Sequence, residues 1–293
     1  MRLAVNPLQC LTLQEDGIGL GPDGDDLGVL REVRDAGFTS VAAELGPGRD
    51  VSEYRRALEG VGLAPAPGYF SAPLCEASEL EVTLARARSF AVGQRALGLT
   101  EACLADDLHP ERVRTGPGAH ESPSGERLKA AVLAVARIAE VWREAGLTAC
   151  VHNHVGTYVE TAEEIDAVLE GTEPDLVRFC PDTGHLAWAG IEPVEALRRH
   201  RDRIGLVHVK DLRAAVLARG SALGWGYGGF VRAGLWAEPG LGDLDLDGVM
   251  AELDGYDRWV IVEVDQTPAA SARDSLRLCA EWARERARPA QHA

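Results

Sequence analysis

Three residues far apart in the chain share a setting that suits a divalent cation. Asp182, His208 and Glu263 lie in FCPD, LVHV and VIVE, short apolar runs that read as buried β-strands with the polar residue at the same end. Carboxylate oxygens mixed with imidazole nitrogen suit Mn2+, Co2+ or Fe2+ and leave Mg2+ and Zn2+ open, and the lack of thiolate argues against a structural zinc. A cation so held polarises a carbonyl and steadies the enolate left when a neighbouring proton is removed. The chemistry expected is proton abstraction beside a ketone on a small polyhydroxylated substrate.

Further polar residues end the other predicted strands. Glu44 and Glu263 are alternative bases for the α-proton, and His185 and Lys210 can give a proton or hold the enolate oxygen. Asn6, His154, Asp211, Arg213 and Gln266 are available to ring hydroxyls. Each alone is equally well an ordinary hydrogen-bonded residue, and Lys210, Asp211 and Arg213 a solvated charged loop. Their shared position at strand ends is what gives them weight.

The elements that must position them alternate in period. Strands are predicted at Leu3 to Asn6, Ser40 to Glu44, Ala64 to Tyr69, Thr100 to Ala105, Thr148 to His152, Val177 to Pro181, Ile204 to Lys210 and Trp259 to Val264. Helical spacing of apolar residues lies between them, as in Leu128, Val132, Val135, Ile138 and Val141. Other helices fit Leu30 to Ala36, Tyr54 to Leu58, Leu80 to Ala96, Ile165 to Leu169, Val194 to His200, Leu246 to Leu253 and Ser271 to Ala287. Eight strand and helix pairs over 293 residues predict one α/β domain, a (β/α)8 TIM barrel, with the site at the C-terminal strand ends. The fourth strand is weakly written. Two Gly-rich stretches, within 106–125 and 214–243, are candidate covers for that site; the second carries Trp225, Tyr227, Phe230 and Trp236.

Composition narrows the partners. A formal net charge of -16 and a pI near 4.9 give no electrostatic attraction for nucleic acid. No apolar run reaches the roughly 20 residues of a membrane span, and MRLAVNPLQC lacks the pattern of a signal peptide, so a cytoplasmic enzyme is expected. The six cysteines, Cys10, Cys75, Cys103, Cys150, Cys180 and Cys279, form no CxxC pair and read as small buried residues. No organic cofactor is expected, and a homo-oligomer is compatible with the sequence.

The segments PDTGHLAWAG, LVHVKDLR and VIVEVDQ resemble the strand ends of the xylose-isomerase-like superfamily of sugar isomerases, epimerases and dehydratases. Within it, ELGPG, VHNHVGTYVETAEEID, EPGLGDLDL and VEVDQ resemble the inosose dehydratases of myo-inositol catabolism, over essentially the whole chain. The resemblance implies a Mn2+- or Co2+-dependent hydro-lyase acting on 2-keto-myo-inositol. It implies Asp182, His208 and Glu263 as metal ligands. The superfamily's fourth ligand is a glutamate ending strand five, where this chain has His152; His154 and water are the alternatives. A keto-sugar epimerase is the nearest rival, and a glutamate pair on strands five and eight would mark it. An abasic-site endonuclease would need a basic face, and a catalytically idle sugar-binding barrel would not need these strand ends.

Overall fold

Eight parallel strands close into a ring: β1 (Arg2–Asn6), β2 (Ser40–Ala42), β3 (Ala64–Ala66 and Tyr69–Ala72), β4 (Glu101–Asp106), β5 (Thr148–His152), β6 (Val177–Cys180), β7 (Val207–Val209) and β8 (Trp259–Glu263). The computed structural model describes residues 1–14, 17–19, 26–43, 45, 49–117 and 125–287. Eight helices alternate with the strands: α1 (Asp26–Ala36), α2 (Val51–Val61), α3 (Leu80–Ala96), α4 (Gly125–Glu144), α5 (Ala162–Glu170), α6 (Pro193–Arg199), α7 (Leu246–Glu252) and α8 (Ala272–Ala287). The chain is a (β/α)8 barrel, as its periodicity predicts.

The ring has two seams. β3, expected as one strand, is split at Pro67 and Gly68. Proline has no N–H for the ladder, and a Cβ on Gly68 would lie 2.4 Å from the Ala43 carbonyl oxygen. Backbone bonds still run from Ala43 N to Ala66 O and from Cys103 N to Gly68 O, so closure survives the break. At the second seam, β6 and β7 meet only through the isolated bridges Phe179 to Ile204 and Asp182 to His208.

The main core lies between strands and helices. Val135, Ile138 and Trp142 of α4 are fully buried at spacings of three and four residues, each burial worth about 1.5–3 kcal/mol. A second, smaller core fills the ring itself with Ala4, Ala66, Cys103, Cys150, Cys180, Leu206, Trp259 and Ile261. β4 is buried at all six positions, which explains its weak sequence signal: EACLAD has no β-branched residue, and enclosure on both faces decides its state. No helix among the described residues is long and apolar enough to cross a membrane.

Candidate active site

Side chains alternate along a strand, so an inward-facing residue is followed two positions later by another. Within the ring core, Ala4 leads to Asn6, Cys150 to His152, Cys180 to Asp182, Leu206 to His208 and then Lys210, and Ile261 to Glu263. Apolar residues thus fill the lower layer and polar ones the layer above, at the C-terminal ends. Local bonds fix the aspartate. Asp182 caps the short helix Thr183–Trp188 by accepting from His185 N at 2.9 Å, and its own N–H donates to Asn153 Oδ1 at 2.9 Å.

His152, Asp182 and His208 bring one ligand atom each within 4.8 Å of one another. Glu263 joins them through its Oε2, 3.2 Å from His208 Nδ1, and that oxygen also accepts from Asn6 Nδ2 at 2.8 Å. His152, Asp182, His185 and Lys210 are 0 % exposed. His152 Nε2, His208 Nε2 and Asp182 Oδ2 have no hydrogen-bond partner among the described residues, while His208 Nδ1 faces the Glu263 carboxylate. A buried polar atom left so costs about 1–3 kcal/mol. Orphaned imidazole and carboxylate atoms converging on one point are the donor set a divalent cation would satisfy, and thus these residues fit one.

The Lys210 ammonium sits beside this set. It lies 2.5 Å from Asp265 Oδ1, 2.8 Å from His185 Nε2, 2.9 Å from Glu263 Oε1 and 3.5 Å from Asp182 Oδ2. Burial alone would push its pKa down, but the carboxylates, Asp182 foremost, outweigh that and hold it well above the usual lysine value. Gly184 permits the approach, since a Cβ there would lie 2.9 Å from Lys210 Cγ and 2.8 Å from the Trp236 ring. With Nε2 accepting from Lys210, His185 carries its proton on Nδ1. Burial, then neighbouring His154, keeps its imidazole neutral.

Two aromatics of the 214–243 stretch, with Tyr69 and Thr183, also reach this layer. Tyr227 donates its hydroxyl to Asp265 Oδ2 at 2.9 Å and accepts from Trp236 Nε1 at 3.1 Å. The Trp236 ring stands edge-on to His185 at 5.2 Å, and Tyr69 edge-on to His152 at 5.5 Å. Thr183 Oγ1 donates to the carbonyl of Lys210 and accepts from its N–H.

His154 borders this layer, and the other expected residues stand apart from it. His154 is half-buried, its ring 3.9 Å from that of His185, with Nδ1 turned to the Val155 carbonyl. Asp211, expected on the substrate, instead accepts the backbone N–H groups of Leu212, Gly240, Gly242 and Leu244. Arg213, also expected there, donates to the carbonyls of Gly234 and Trp236. Both hold the segment after β7 in place and are not brought to the cluster. Gln266 is exposed, and Glu44 lies outside the described residues.

Burial raises the Asp182 pKa to about 6, while at His208 burial is outweighed by Cys180 and Glu263, which hold the imidazole above its ordinary value. A cation must displace these protons. Binding of Mn2+ is therefore expected to weaken by about tenfold per pH unit near neutrality, and more steeply below about pH 6, as His208 and then Asp182 protonate. Calorimetric titration from pH 8 to pH 5 measures this; a pH-independent affinity would contradict it.

Comparison with known proteins agrees with this architecture. A family described as xylose isomerase-like TIM barrel matches residues 30–284. The inosose dehydratase of Geobacillus kaustophilus (strain HTA426) is 33% identical over 282 residues, covering 92% of this chain and 89% of that protein. That of Clostridium tetani (strain Massachusetts / E88) is 31% identical over 229 residues, covering 75% and 76%. Among solved structures, the IOLI protein with a zinc atom superposes with a TM-score of 0.69 at 14% identity, over 98% of both chains. The probable 3-DHS dehydratase AsbF from Bacillus anthracis gives 0.69 at 12% identity, over 97% of this chain and 99% of that one. The last two carry the fold alone, whereas the first two carry kinship in sequence. The chain belongs to the xylose isomerase-like TIM-barrel family, and within it groups with the inosose dehydratases, which are hydro-lyases.

Proposed function

We propose that the chain removes water from 2-keto-myo-inositol, or a closely related keto-polyol, by taking the α-proton and expelling the β-hydroxyl. The observation that carries this reading is the buried layer in which orphaned His152, Asp182 and His208 atoms and Glu263 adjoin the Lys210 and His185 pair. His152, Asp182, His208 and Glu263 would hold the cation, Mn2+ or Co2+ by their mixed donors. When bound it supplies Lewis-acid polarisation of a ketone.

The remaining steps belong to side chains. Glu263 has both oxygens engaged, by Lys210 and by Asn6, and burial notwithstanding, Lys210 and His208 hold its pKa well below the usual glutamate value. So firmly held a carboxylate is a poor base, and the α-proton falls to Glu44, the other acid the sequence offers, two residues past β2 in the chain. His185 offers Nδ1–H to the departing hydroxyl oxygen, and a proton leaving there is replaced at Nε2 from Lys210. Tyr227 fixes Asp265 against Lys210, and with Trp236 it covers the site, so substrate entry requires this segment to open. With neutral His152 at the end of β5, no second carboxylate faces the substrate from that strand, which favours elimination over epimerisation.

Glu44→Gln is expected to retain metal content and to slow exchange of the substrate α-proton with D2O by about a hundredfold or more. Unchanged exchange would remove Glu44 from the mechanism. Mass spectrometry of the incubated keto-inositol reads the exchange, and the near-ultraviolet absorbance of the enolised dione reads turnover.

A further inference from the structure

Directly beneath the polar layer lies a second set of ligands. Cys103 Sγ, Cys180 Sγ and a nitrogen of His208 fall within 4.8 Å of one another, all buried. Cys180 Sγ is also 3.7 Å from His152 Nδ1. The set follows from strand parity, since Cys180 precedes Asp182 by two residues on the inward face of the sixth strand, and β4 places Cys103 in the same ring core. Two sulfurs with one or two imidazoles match the preference of thiophilic cations such as Cd2+ and Zn2+, whereas the carboxylate and imidazole set above suits harder ions.

We propose that Cys103, Cys180 and His208 form a distinct site for thiophilic divalent cations, overlapping the upper set through His208. On binding, each thiol loses its proton to solvent as its sulfur bonds to the cation. A cation held below draws His208 from the carboxylate set and stands within a few ångströms of a second positive charge, so each site opposes loading of the other. Thiophilic ions are thereby antagonists of the ion the upper set holds. The proposal does not depend on which substrate the enzyme takes.

The experiment titrates CdCl2 into metal-stripped full-length protein and follows thiolate-to-cadmium charge transfer in the ultraviolet. A band saturating at one equivalent is expected, with Cys103→Ser and Cys180→Ser each cutting it by about half, as one of two thiolates is lost. Cys150→Ser, a control in the same core, leaves it unchanged. Asp182→Asn keeps the band, which separates this site from the upper one whatever becomes of the dehydratase reading. Prior Mn2+ shifts the cadmium midpoint to higher concentration. Absence of the band, its persistence in the Cys103→Ser/Cys180→Ser double variant, its loss in Asp182→Asn or a midpoint indifferent to Mn2+ would each overturn the proposal. Should a serine variant fail to fold, cadmium NMR of the wild-type protein decides: a sulfur-rich shift supports the site, an oxygen- and nitrogen-only shift refutes it.

Discussion

Asp182→Ala is expected to abolish stoichiometric binding of Mn2+ or Co2+ and to lower turnover of the keto-inositol by about 10^4-fold, roughly 5 kcal/mol of lost stabilisation of developing charge. The aspartate is fully buried, and its Oδ2 has no hydrogen-bond partner among the described residues. Among the described side chains, only Lys210 loses an ion-pair partner on its removal, and it keeps Glu263 and Asp265. Metal analysis after dialysis against chelator and repletion checks the first half, and single-turnover kinetics the second. Full metal content with full turnover would sink the assignment of the site.

The second large effect concerns Lys210. Lys210→Met keeps much of the side-chain volume but leaves Asp182, Glu263 and Asp265 without their shared ammonium. Removing one partner of a buried ion pair costs about 3–5 kcal/mol. The sign of the pH dependence follows from the carboxylates. Deprived of the ammonium, buried Asp182 binds its proton still more tightly in the folded than in the unfolded chain, so the variant is least impaired below about pH 4 and progressively more so as pH rises through that raised value. Urea denaturation of the metal-stripped protein at pH 5 and pH 8 measures the difference, and an equal loss at both would mean that Lys210 acts through packing.

Much of this was legible in the residues alone, for physical reasons that also mark where legibility ends. Strand and helix periods are enforced by burial on opposite sides of one ring, and seven of the eight pairs were plainly readable from them, the fourth strand only weakly. The convergence of Asp182 and His208 was readable because a polar residue ending an apolar strand needs a partner. Asp211 and Arg213 met the same criterion and serve a different end. A strand end is also where a loop returns, and backbone N–H groups make as good a partner as a substrate. The sign was present in EPGLGD: a Cβ on Gly242 would lie 2.2 Å from Asp211 Oδ1, so that glycine marks backbone drawn onto the carboxylate. Tyr227 and Trp236 reach the layer from a segment with no period of its own. Strand parity, by contrast, was available, and it places Asn6 and Glu263 beside each other and the cysteines one layer down.

The weak seam between β6 and β7 gains meaning from what crosses it. Of its two isolated bridges, one joins Asp182 to His208. Where the backbone ladder is thinnest, the wall is closed by side chains that a cation would rivet together. Loading should then slow amide hydrogen exchange at Leu206 and His208 more than in the continuous wall of β4 and β5. The catalytic ion would double as a structural clasp, and starvation for metal would be felt first as a barrel opening along one stave.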